Sequence, residues 1–172
     1  MVGRLTVFLV DTNVWLERLL DQERSEEVGR FLDQIPPAQY CLTEFAFYSI
    51  GITLIRLAKK DLLLKFVRDT ISDQTVVLVR LGPEDIEPVV TATERFRLDF
   101  DDAYQYVAAE KHNLTLVSFD ADFDRTERGR KTPADILGEP RIARDKPPTK
   151  PRRPRSRKRG AECCERTPRD AV

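Results

Sequence analysis

The chain contains 172 residues, of which 41% are hydrophobic and 34% are charged, and its 29 basic side chains balance its 29 acidic ones. This length and composition predict a globular domain with a single core, and no apolar run approaches the roughly 20 residues that a membrane-spanning helix needs. The three cysteines lack the spacing of a disulfide framework or a zinc site, which excludes both classes and favours a reducing, cytoplasmic location. Asp11 and Glu17 interrupt the apolar N-terminus, which argues against a signal peptide.

The N-terminal part of the chain is predicted to form a buried strand followed by two helices. Residues 5–10 are a continuous apolar run, as in strands that are buried on both faces of a parallel sheet. The run ends at Asp11, after which Thr12 or Asn13 is expected to cap the first helix. Ser25 is expected to cap the second helix, which a Pro-Pro pair terminates.

The middle of the chain is predicted to contain two more strands, each followed by helices. Residues 39–42 form a short strand, and Thr43 caps a long apolar helix that should be largely buried. Residues 61–71 repeat the amphipathic helical pattern, and residues 76–81 are predicted to form another buried strand. A Gly-Pro pair then starts a further helix that runs to residue 96.

The last elements are a helix rich in small residues over 99–113 and a strand over 114–118. His112, the single histidine, is interpreted as a residue at the end of this helix. Strands that alternate with helices indicate an α/β domain with a mostly parallel central sheet. Such sheets bind ligands outside the carboxyl ends of their strands, where Asp11 and Asp120 are expected to lie.

The domain is expected to span residues 1–138, with residues 139–172 as a tail. The first segment carries 17 Lys/Arg and 24 Asp/Glu, a net charge of −7, and the second carries 12 and 5, a net charge of +7. The second segment is rich in Pro and Arg and almost free of large apolar residues, so it is predicted to be disordered. This basic tail is either an RNA-binding extension or a solubilising one.

Acidic residues occur in three clusters at element boundaries. The clusters are Asp11 after the first strand, Asp99/Asp101/Asp102 at a helix start, and Asp120/Asp122/Asp124 after the last strand. Asp102 begins the run of small residues that can pack closely against the sheet, and it is therefore the member of its cluster expected to face the strand ends.

Carboxylates that converge raise one another's pKa unless a cation compensates their charge. Oxygen ligands without His or Cys favour Mg²⁺ or Mn²⁺ over zinc, and such ions take substrate phosphate oxygens as further ligands. A bound ion can activate water for phosphodiester cleavage. The clusters therefore predict a metal-dependent phosphodiesterase.

Other interpretations compete with this one. A single Asp at a strand end is more often a helix cap than a ligand. The DADFD segment has the alternating acids of a calcium loop but lacks the Gly and Glu that such a loop requires. Another α/β phosphate-handling fold, such as a phosphoacceptor domain or a phosphatase, also uses a strand-end Asp, but its further motifs are missing.

Three motifs in the expected order resemble those of the PIN-domain family, in particular its VapC-like ribonuclease toxins. Val-Asp-Thr-Asn at 10–13 resembles the opening motif, Asp-Ala at 102–103 the central one, and Leu-Val-Ser-Phe-Asp-Ala-Asp-Phe at 116–123 the closing one. The resemblance covers about residues 6–125. It implies a PIN-like α/β/α sandwich and cleavage of single-stranded RNA with Mg²⁺ or Mn²⁺.

The resemblance also assigns roles to individual residues. The implied metal ligands, the first three of them catalytic, are Asp11, Asp102, Asp120 and Asp122, and the implied supporting residues are Thr12, Asn13 and Ser118. The family's remaining acid is normally a Glu inside the helix after the second strand. Here the acid in that region is Glu44 at the helix start, which is the fifth candidate metal ligand, while Tyr48 or Ser49 occupies the usual place.

The partners implied by the resemblance are single-stranded RNA, a cognate antitoxin protein and a second copy of the chain. No membrane partner is expected. The displaced Glu44 also leaves an alternative function, which is a PIN-like module of weak or absent catalysis that binds RNA or protein.

Overall fold

The computed structural model describes residues 6–72 and 76–140. Its central feature is a parallel sheet with the strand order β3-β2-β1-β4. The strands are β1 (Phe8–Val10), β2 (Tyr40–Thr43), β3 (Val77–Val79) and β4 (Thr115–Val117). The predicted α/β class with a parallel sheet is confirmed.

Helices connect these strands in the order that the sequence predicts. The α-helices of the described residues are α1 (Thr12–Leu19), α2 (Ser25–Gln34), α3 (Glu44–Arg56), α4 (Lys60–Phe66), α5 (Ile86–Phe96), α6 (Phe100–Lys111) and α7 (Pro133–Leu137). A π-helical turn, Val67–Ser72, extends α4. Short 3₁₀ turns occur at Pro37–Gln39, Pro83–Asp85 and Ala121–Arg125.

The sheet separates two hydrophobic cores, which makes the domain an α/β/α sandwich. Phe8 and Val10 point into the core formed with α1, α2, α3 and α4, whereas Leu9 points into the core formed with α5 and α6. Successive side chains of a strand face opposite sides of a sheet, so a strand covered on both faces must be apolar throughout. This explains why β1 is an uninterrupted apolar run.

The long helix α3 is less buried than its composition predicted. Ala46 and Ile50 lie in the core, but Tyr48 is 62% exposed and Ile52 and Ile55 are also exposed. The prediction of a largely buried helix is therefore wrong. The helix packs mainly against α1, β2 and α4, and these contacts leave the face with Tyr48, Ile52 and Ile55 exposed.

The third strand is also more exposed than predicted, since Val77 is 53% exposed. Residues 76–81 were expected to form a buried strand, but β3 lies at one edge of the sheet and, among the described strands, pairs only with β2. An edge strand has a neighbour on one side only. The apolar composition of the segment did not reveal its position in the sheet.

The caps of the helices agree in part with the prediction. Thr43 caps α3, because its Oγ1 accepts a hydrogen bond from the Ala46 N–H at 3.0 Å, and His112 ends α6 as predicted. The first helix, however, is capped by Asp11 rather than by Thr12 or Asn13. Ser25, predicted as a cap, is the first residue of α2, and its hydroxyl accepts a hydrogen bond from Arg18.

The strand order creates a crevice at the carboxyl ends of β1 and β4. From β1 the chain proceeds to β2 and β3 on one side, and β4 then adds on the other side of β1. Ligand sites of open parallel sheets lie at such a reversal of strand order. Asp11 follows β1, and Asp120 follows β4 after two residues, so both predicted acids lie beside this crevice.

At the C-terminal end, Gly138 terminates α7 with a positive φ of 70°, and Glu139 forms an ion pair with Arg30 of α2 at 2.7 Å. The prediction of disorder for residues 139–172 falls almost entirely outside the described residues. Within the described part of the chain, none of the helices is long and apolar enough to cross a membrane.

Candidate active site

Asp11 is a buried carboxylate at the crevice that is held by several hydrogen bonds. It is only 5% exposed, and its two oxygens accept four hydrogen bonds. Oδ1 accepts from the Thr12 N–H at 2.7 Å and from Gln105 Nε2 at 3.1 Å. Oδ2 accepts from Ser118 Oγ at 2.7 Å and from Asn13 Nδ2 at 2.8 Å. The donors come from the start of α1, the end of β4 and helix α6, so Asp11 joins three elements of the site.

The environment of Asp11 makes a negative charge costly. The pKa of its carboxyl group is raised from 3.8 to about 6, chiefly by burial and to a smaller extent by the nearby charge of Asp120. The hydrogen bonds from Ser118, Thr12 and Gln105 lower this pKa but do not cancel the effect of burial. A cation next to this carboxylate would favour its charged form.

Asn13 and Ser118 form a closed hydrogen-bonded unit with Asp11. Besides its bond to Asp11, Asn13 Nδ2 donates to Ser118 Oγ at 3.0 Å, and Asn13 Oδ1 accepts from the Phe119 N–H at 3.1 Å. Ser118 Oγ also accepts from the Asp120 N–H at 2.9 Å. The unit therefore fixes the turn after β4 relative to Asp11, and it places Asp120 close to the end of β1.

Three carboxylates converge beside this unit. Asp102, Asp120 and Asp122 each offer an oxygen, and these oxygens lie within 4.8 Å of one another. Asp102 is buried in the first turn of α6, whereas Asp120 caps the 3₁₀ turn after β4, Asp122 belongs to that turn, and both are partly exposed. Residues from distant parts of the sequence thus share one edge of the crevice.

A second group of acids shares Asp102 with the first. Asp99, Asp101 and Asp102 also have carboxylate oxygens within 4.8 Å of one another, but Asp99 and Asp101 are exposed. Exposed acids at a helix start are common without a ligand, because they favour the positive end of the helix dipole. Of this cluster, Asp102 is the buried member that reaches the strand ends, as the sequence predicted.

Arginines accompany the acids of the turn after β4. Arg125 contacts Asp122 at 3.1 Å. Arg130 is buried, and it donates both to Asp124 at 3.1 Å and to the backbone carbonyl of Ser118 at 3.0 Å. These contacts balance part of the negative charge and hold the turn in place.

Not every predicted site residue lies in the cluster formed by Asp102, Asp120 and Asp122. Neither group of converging carboxylates includes Glu44, which lies at the start of α3. Thr12 contributes its backbone N–H, while its hydroxyl makes no hydrogen bond with the described residues. Gln105, which donates to Asp11, was not predicted from the sequence as a site residue. Its position three residues after Asp102 nevertheless places it on the same side of α6.

A family model for the PIN domain matches residues 8–129, which include every acidic residue of this site. The chain belongs to the PIN domain family. The match spans more than half of the chain and contains the three motifs on which the resemblance rested. No curated protein matches the chain closely enough to count as a relative.

Solved structures agree with the PIN fold. A toxin–antitoxin complex from Klebsiella pneumoniae is 21% identical, with 73% of this chain and 96% of that chain covered and a TM-score of 0.57. VapC20 of Mycobacterium tuberculosis, described as a toxin that cleaves the sarcin-ricin loop, is 16% identical, with 72% and 96% covered and a TM-score of 0.60. FitAcB from Neisseria gonorrhoeae is 21% identical, with 74% and 98% covered and a TM-score of 0.57.

The PIN domain family implies a divalent metal ion, and the residues present fit one. The converging donors are carboxylate oxygens, which suit Mg²⁺ and Mn²⁺. Burial raises the pKa of Asp11 to about 6, so a cation beside this carboxylate would stabilise its charged form. In this PIN domain the chemistry of the donors and the electrostatics of the pocket both favour a hard cation.

Proposed function

We propose that this PIN domain is a metal-dependent endoribonuclease that cleaves single-stranded RNA. The observation that carries the proposal is the convergence of Asp102, Asp120 and Asp122 at the crevice, with oxygens within 4.8 Å of one another. Carboxylates at this spacing are unfavourable without a cation, and a cation held at an open crevice can also bind a phosphate. Family membership supports nuclease chemistry at this position.

We propose that Asp102, Asp120 and Asp122 hold Mg²⁺ or Mn²⁺, with Asp11 beside them as a further ligand. Glu44, the candidate ligand at the start of α3, lies outside this group, and the proposal assigns it no direct contact with the ion. A bound divalent cation supplies stabilisation of the charge that develops on the phosphate and lowers the pKa of a coordinated water.

The other side chains of the site act by positioning. Asn13 and Ser118 each donate to Oδ2 of Asp11, so the plane of this carboxylate is fixed. The Asp122 N–H donates to Asp120 at 2.9 Å, which holds the Asp120 carboxylate in the turn after β4. A pocket held in this way requires little rearrangement when substrate binds, which favours catalysis.

The choice of RNA as substrate is supported by VapC20, a structural neighbour described as cleaving an RNA loop. The decisive comparison uses single-stranded RNA and single-stranded DNA of the same sequence, each with Mn²⁺. We expect cleavage of the RNA. Cleavage of the DNA alone would support a nuclease but overturn the assignment of RNA as its substrate.

The role of the carboxylates is tested by Asp102→Asn, which keeps the side-chain shape and removes the charge. We expect this variant to lose RNA cleavage, as Asp11→Asn and Asp120→Asn should. Asp101→Asn is the matched control, because Asp101 precedes Asp102 in α6 but is exposed and lies outside the group formed by Asp102, Asp120 and Asp122. Equal cleavage by Asp102→Asn and the parent would overturn the proposal.

A binding module of weak or absent catalysis is the alternative function. Two observations favour it, since Glu44 lies outside the carboxylate groups and Arg125 already pairs with Asp122. Titration with Mn²⁺ separates the two functions. Saturable binding of Mn²⁺ together with RNA cleavage supports the nuclease, whereas RNA binding without metal binding supports the alternative.

We also propose that the protein is the toxin of a toxin–antitoxin pair, as in the Klebsiella pneumoniae complex. An apolar groove between α3 and α4 is the surface that we assign to the antitoxin. It is lined by Phe47, Tyr48, Gly51, Ile52, Ile55, Arg56, Leu63, Leu64 and Val67. This chemistry fits a segment with an apolar face and an acidic side chain that can pair with Arg56.

The groove is tested with the double variant Ile52→Glu and Leu64→Glu, expressed together with the antitoxin candidate encoded by a neighbouring reading frame. We expect the variant to lose co-purification while its RNA cleavage persists. Ile86→Glu, which alters an exposed apolar side chain elsewhere, should retain the partner. Retention of the partner by the double variant would exclude the groove.

A homodimer, which the family resemblance implies, remains a prediction that light scattering of the purified chain can test. We expect about twice the chain mass of 19.9 kDa. If the double variant converts a dimer into a monomer, the groove belongs to the dimer interface, and the assignment to an antitoxin is wrong.

A cytoplasmic location is proposed on the basis of the cysteines. Cys41 is a free, buried thiol, and burial raises its pKa, so it is poorly reactive. Cell fractionation with a tagged chain tests the location, and recovery outside the cytoplasm would overturn it.

A further inference from the structure

Gln105 is a buried polar residue of α6 that the three sequence motifs do not include. It is 2% exposed, and the residues that follow it on the helix, from 106 to 109, are buried in the core beneath the sheet. Its Nε2 donates to Oδ1 of Asp11 at 3.1 Å. This hydrogen bond joins the middle of α6 to the end of β1.

The oxygen of the Gln105 amide, Oε1, is buried without a hydrogen-bond partner among the described residues. Burying an unsatisfied polar atom costs free energy, so an apolar side chain would be the better choice if packing were the only requirement. The amide is therefore explained by the bond that it does make, which is the bond to Asp11.

This bond differs in origin from the other hydrogen bonds that Asp11 accepts. Thr12 and Asn13 belong to the same turn as Asp11, and Ser118 belongs to the adjacent strand end. Among the described donors to Asp11, Gln105 alone comes from α6, the helix that also carries Asp102. Asp102 and Gln105 are three residues apart and therefore share one side of the helix.

We propose that Gln105 is a positioning residue that sets the orientation of the Asp11 carboxylate relative to Asp102. The inference rests on the proposed metal site. Residues that hydrogen-bond to metal ligands determine the orientation of those ligands, and their loss typically weakens metal binding about 10- to 100-fold. Gln105 does not touch the ion or the substrate, so it acts through Asp11.

The test is the affinity of the full chain for Mn²⁺, measured by calorimetry without RNA. Gln105→Met keeps the length and helix preference of the side chain and removes its donor. We expect its Kd for Mn²⁺ to rise about tenfold, in line with the effect of such residues on metal affinity. Gln105→Asn, which withdraws the amide by one methylene group, should show a rise in the same direction, and it serves if the first variant does not fold.

Tyr104→Phe is the matched control. The Tyr104 hydroxyl accepts a hydrogen bond from the Leu81 N–H at 2.8 Å, so this change also removes a hydrogen bond of α6, but one without contact to Asp11. We expect this variant to be less stable towards urea while its affinity for Mn²⁺ is unchanged. A loss of affinity equal to that of Gln105→Met would show a general effect of α6 and overturn the proposal.

The remaining outcomes separate this inference from the proposed function. Wild-type affinity in both Gln105 variants overturns the role of Gln105 and leaves the nuclease intact. If the wild-type chain binds Mn²⁺ but does not cleave RNA, the nuclease is overturned, and a weakened Gln105→Met variant still supports the positioning role. A wild-type chain without saturable Mn²⁺ binding overturns both.

Discussion

The hydroxyl of Ser118 donates a hydrogen bond to Oδ2 of Asp11 at 2.7 Å, across 107 positions of sequence. The same hydroxyl accepts from Asn13 and from the Asp120 N–H. One oxygen atom therefore links the end of β4 to the end of β1. It also fixes Asp120, which begins the acidic turn, the segment after β4 that carries Asp120, Asp122 and Asp124. The position of Asp120 relative to Asp11 therefore depends on the hydrogen bonds of the Ser118 hydroxyl.

Ser118→Ala is expected to lower RNA cleavage about 10- to 100-fold, by analogy with other residues that orient metal ligands. The change removes a donor from a buried carboxylate, and the loss should also reduce the free energy of unfolding by about 1–3 kcal/mol. Cleavage of RNA with Mn²⁺ and unfolding in urea measure the two effects.

Ser25→Ala provides the control for Ser118→Ala. Ser25 is also buried, and its hydroxyl also makes a side-chain hydrogen bond, in this case with Arg18. Cleavage by this variant should remain within about threefold of the wild type even where stability falls. If both serine variants lose activity equally, the loss of cleavage is due to impaired folding, and the proposed role of Ser118 in orienting Asp11 is wrong.

The raised pKa of Asp11 predicts a pH dependence of stability in metal-free protein. Its carboxyl group has a pKa of about 6 in the folded chain and an ordinary value of 3.8, so the folded state binds the proton more tightly. The stabilising contribution is therefore full below about pH 4 and is lost as the pH rises through about 6. A pKa shift of this size corresponds to a change in the free energy of unfolding on the order of 3 kcal/mol.

The measurement is unfolding in urea with EDTA for the wild type and for Asp11→Asn, in which this titration is absent. The stability of the wild type relative to the variant should fall between about pH 4 and about pH 7 and then level off. Adding Mn²⁺ near neutral pH should stabilise the wild type more than the variant, which lacks one of the proposed ligands. A difference that does not change with pH would show that Asp11 is not perturbed.

Arg130→Met should destabilise the acidic turn. The change leaves Asp124 and the Ser118 carbonyl without the donors that Arg130 supplies. Removing one partner of a buried ion pair typically costs about 3–5 kcal/mol, and because Asp124 is half exposed we expect a value nearer 2 kcal/mol. Urea unfolding measures the loss, and RNA cleavage should fall because Asp120 and Asp122 lie in the same turn.

Arg95→Ala is the surface counterpart of Arg130→Met. Arg95 pairs with Glu127, and both side chains are more than half exposed. Pairs of this kind contribute about 0–1 kcal/mol, so the variant should be close to the wild type in stability and in cleavage. A larger loss for Arg95→Ala than for Arg130→Met would contradict the importance of burial.

Glu44→Gln tests whether the acid on α3 takes part in the site. Because Glu44 belongs to neither carboxylate group, we expect cleavage within about threefold of the wild type. Asp122→Asn, which alters a member of the group, should reduce cleavage far more. A complete loss of cleavage in Glu44→Gln would show that this acid approaches the metal when the ion is bound.

The sequence alone determined several features of this protein. The apolar run of β1 followed by Asp11, and the strand-to-acid transition at Asp120, indicated a parallel sheet with acids at its strand ends. These features are local, since an uninterrupted apolar strand and a cap are set by neighbouring residues. The motifs also identified the PIN family, which the family model confirms.

Other features were decided only by the tertiary structure. The exposure of Tyr48 and of Val77 depends on which elements pack beside α3 and β3, and an apolar composition does not contain that information. The link between Gln105 and Asp11 spans 94 positions, and it exists because the sheet order places α6 beside β1. The sequence thus determined which acids could form a site, whereas packing decided which of them meet and which side chains hold them.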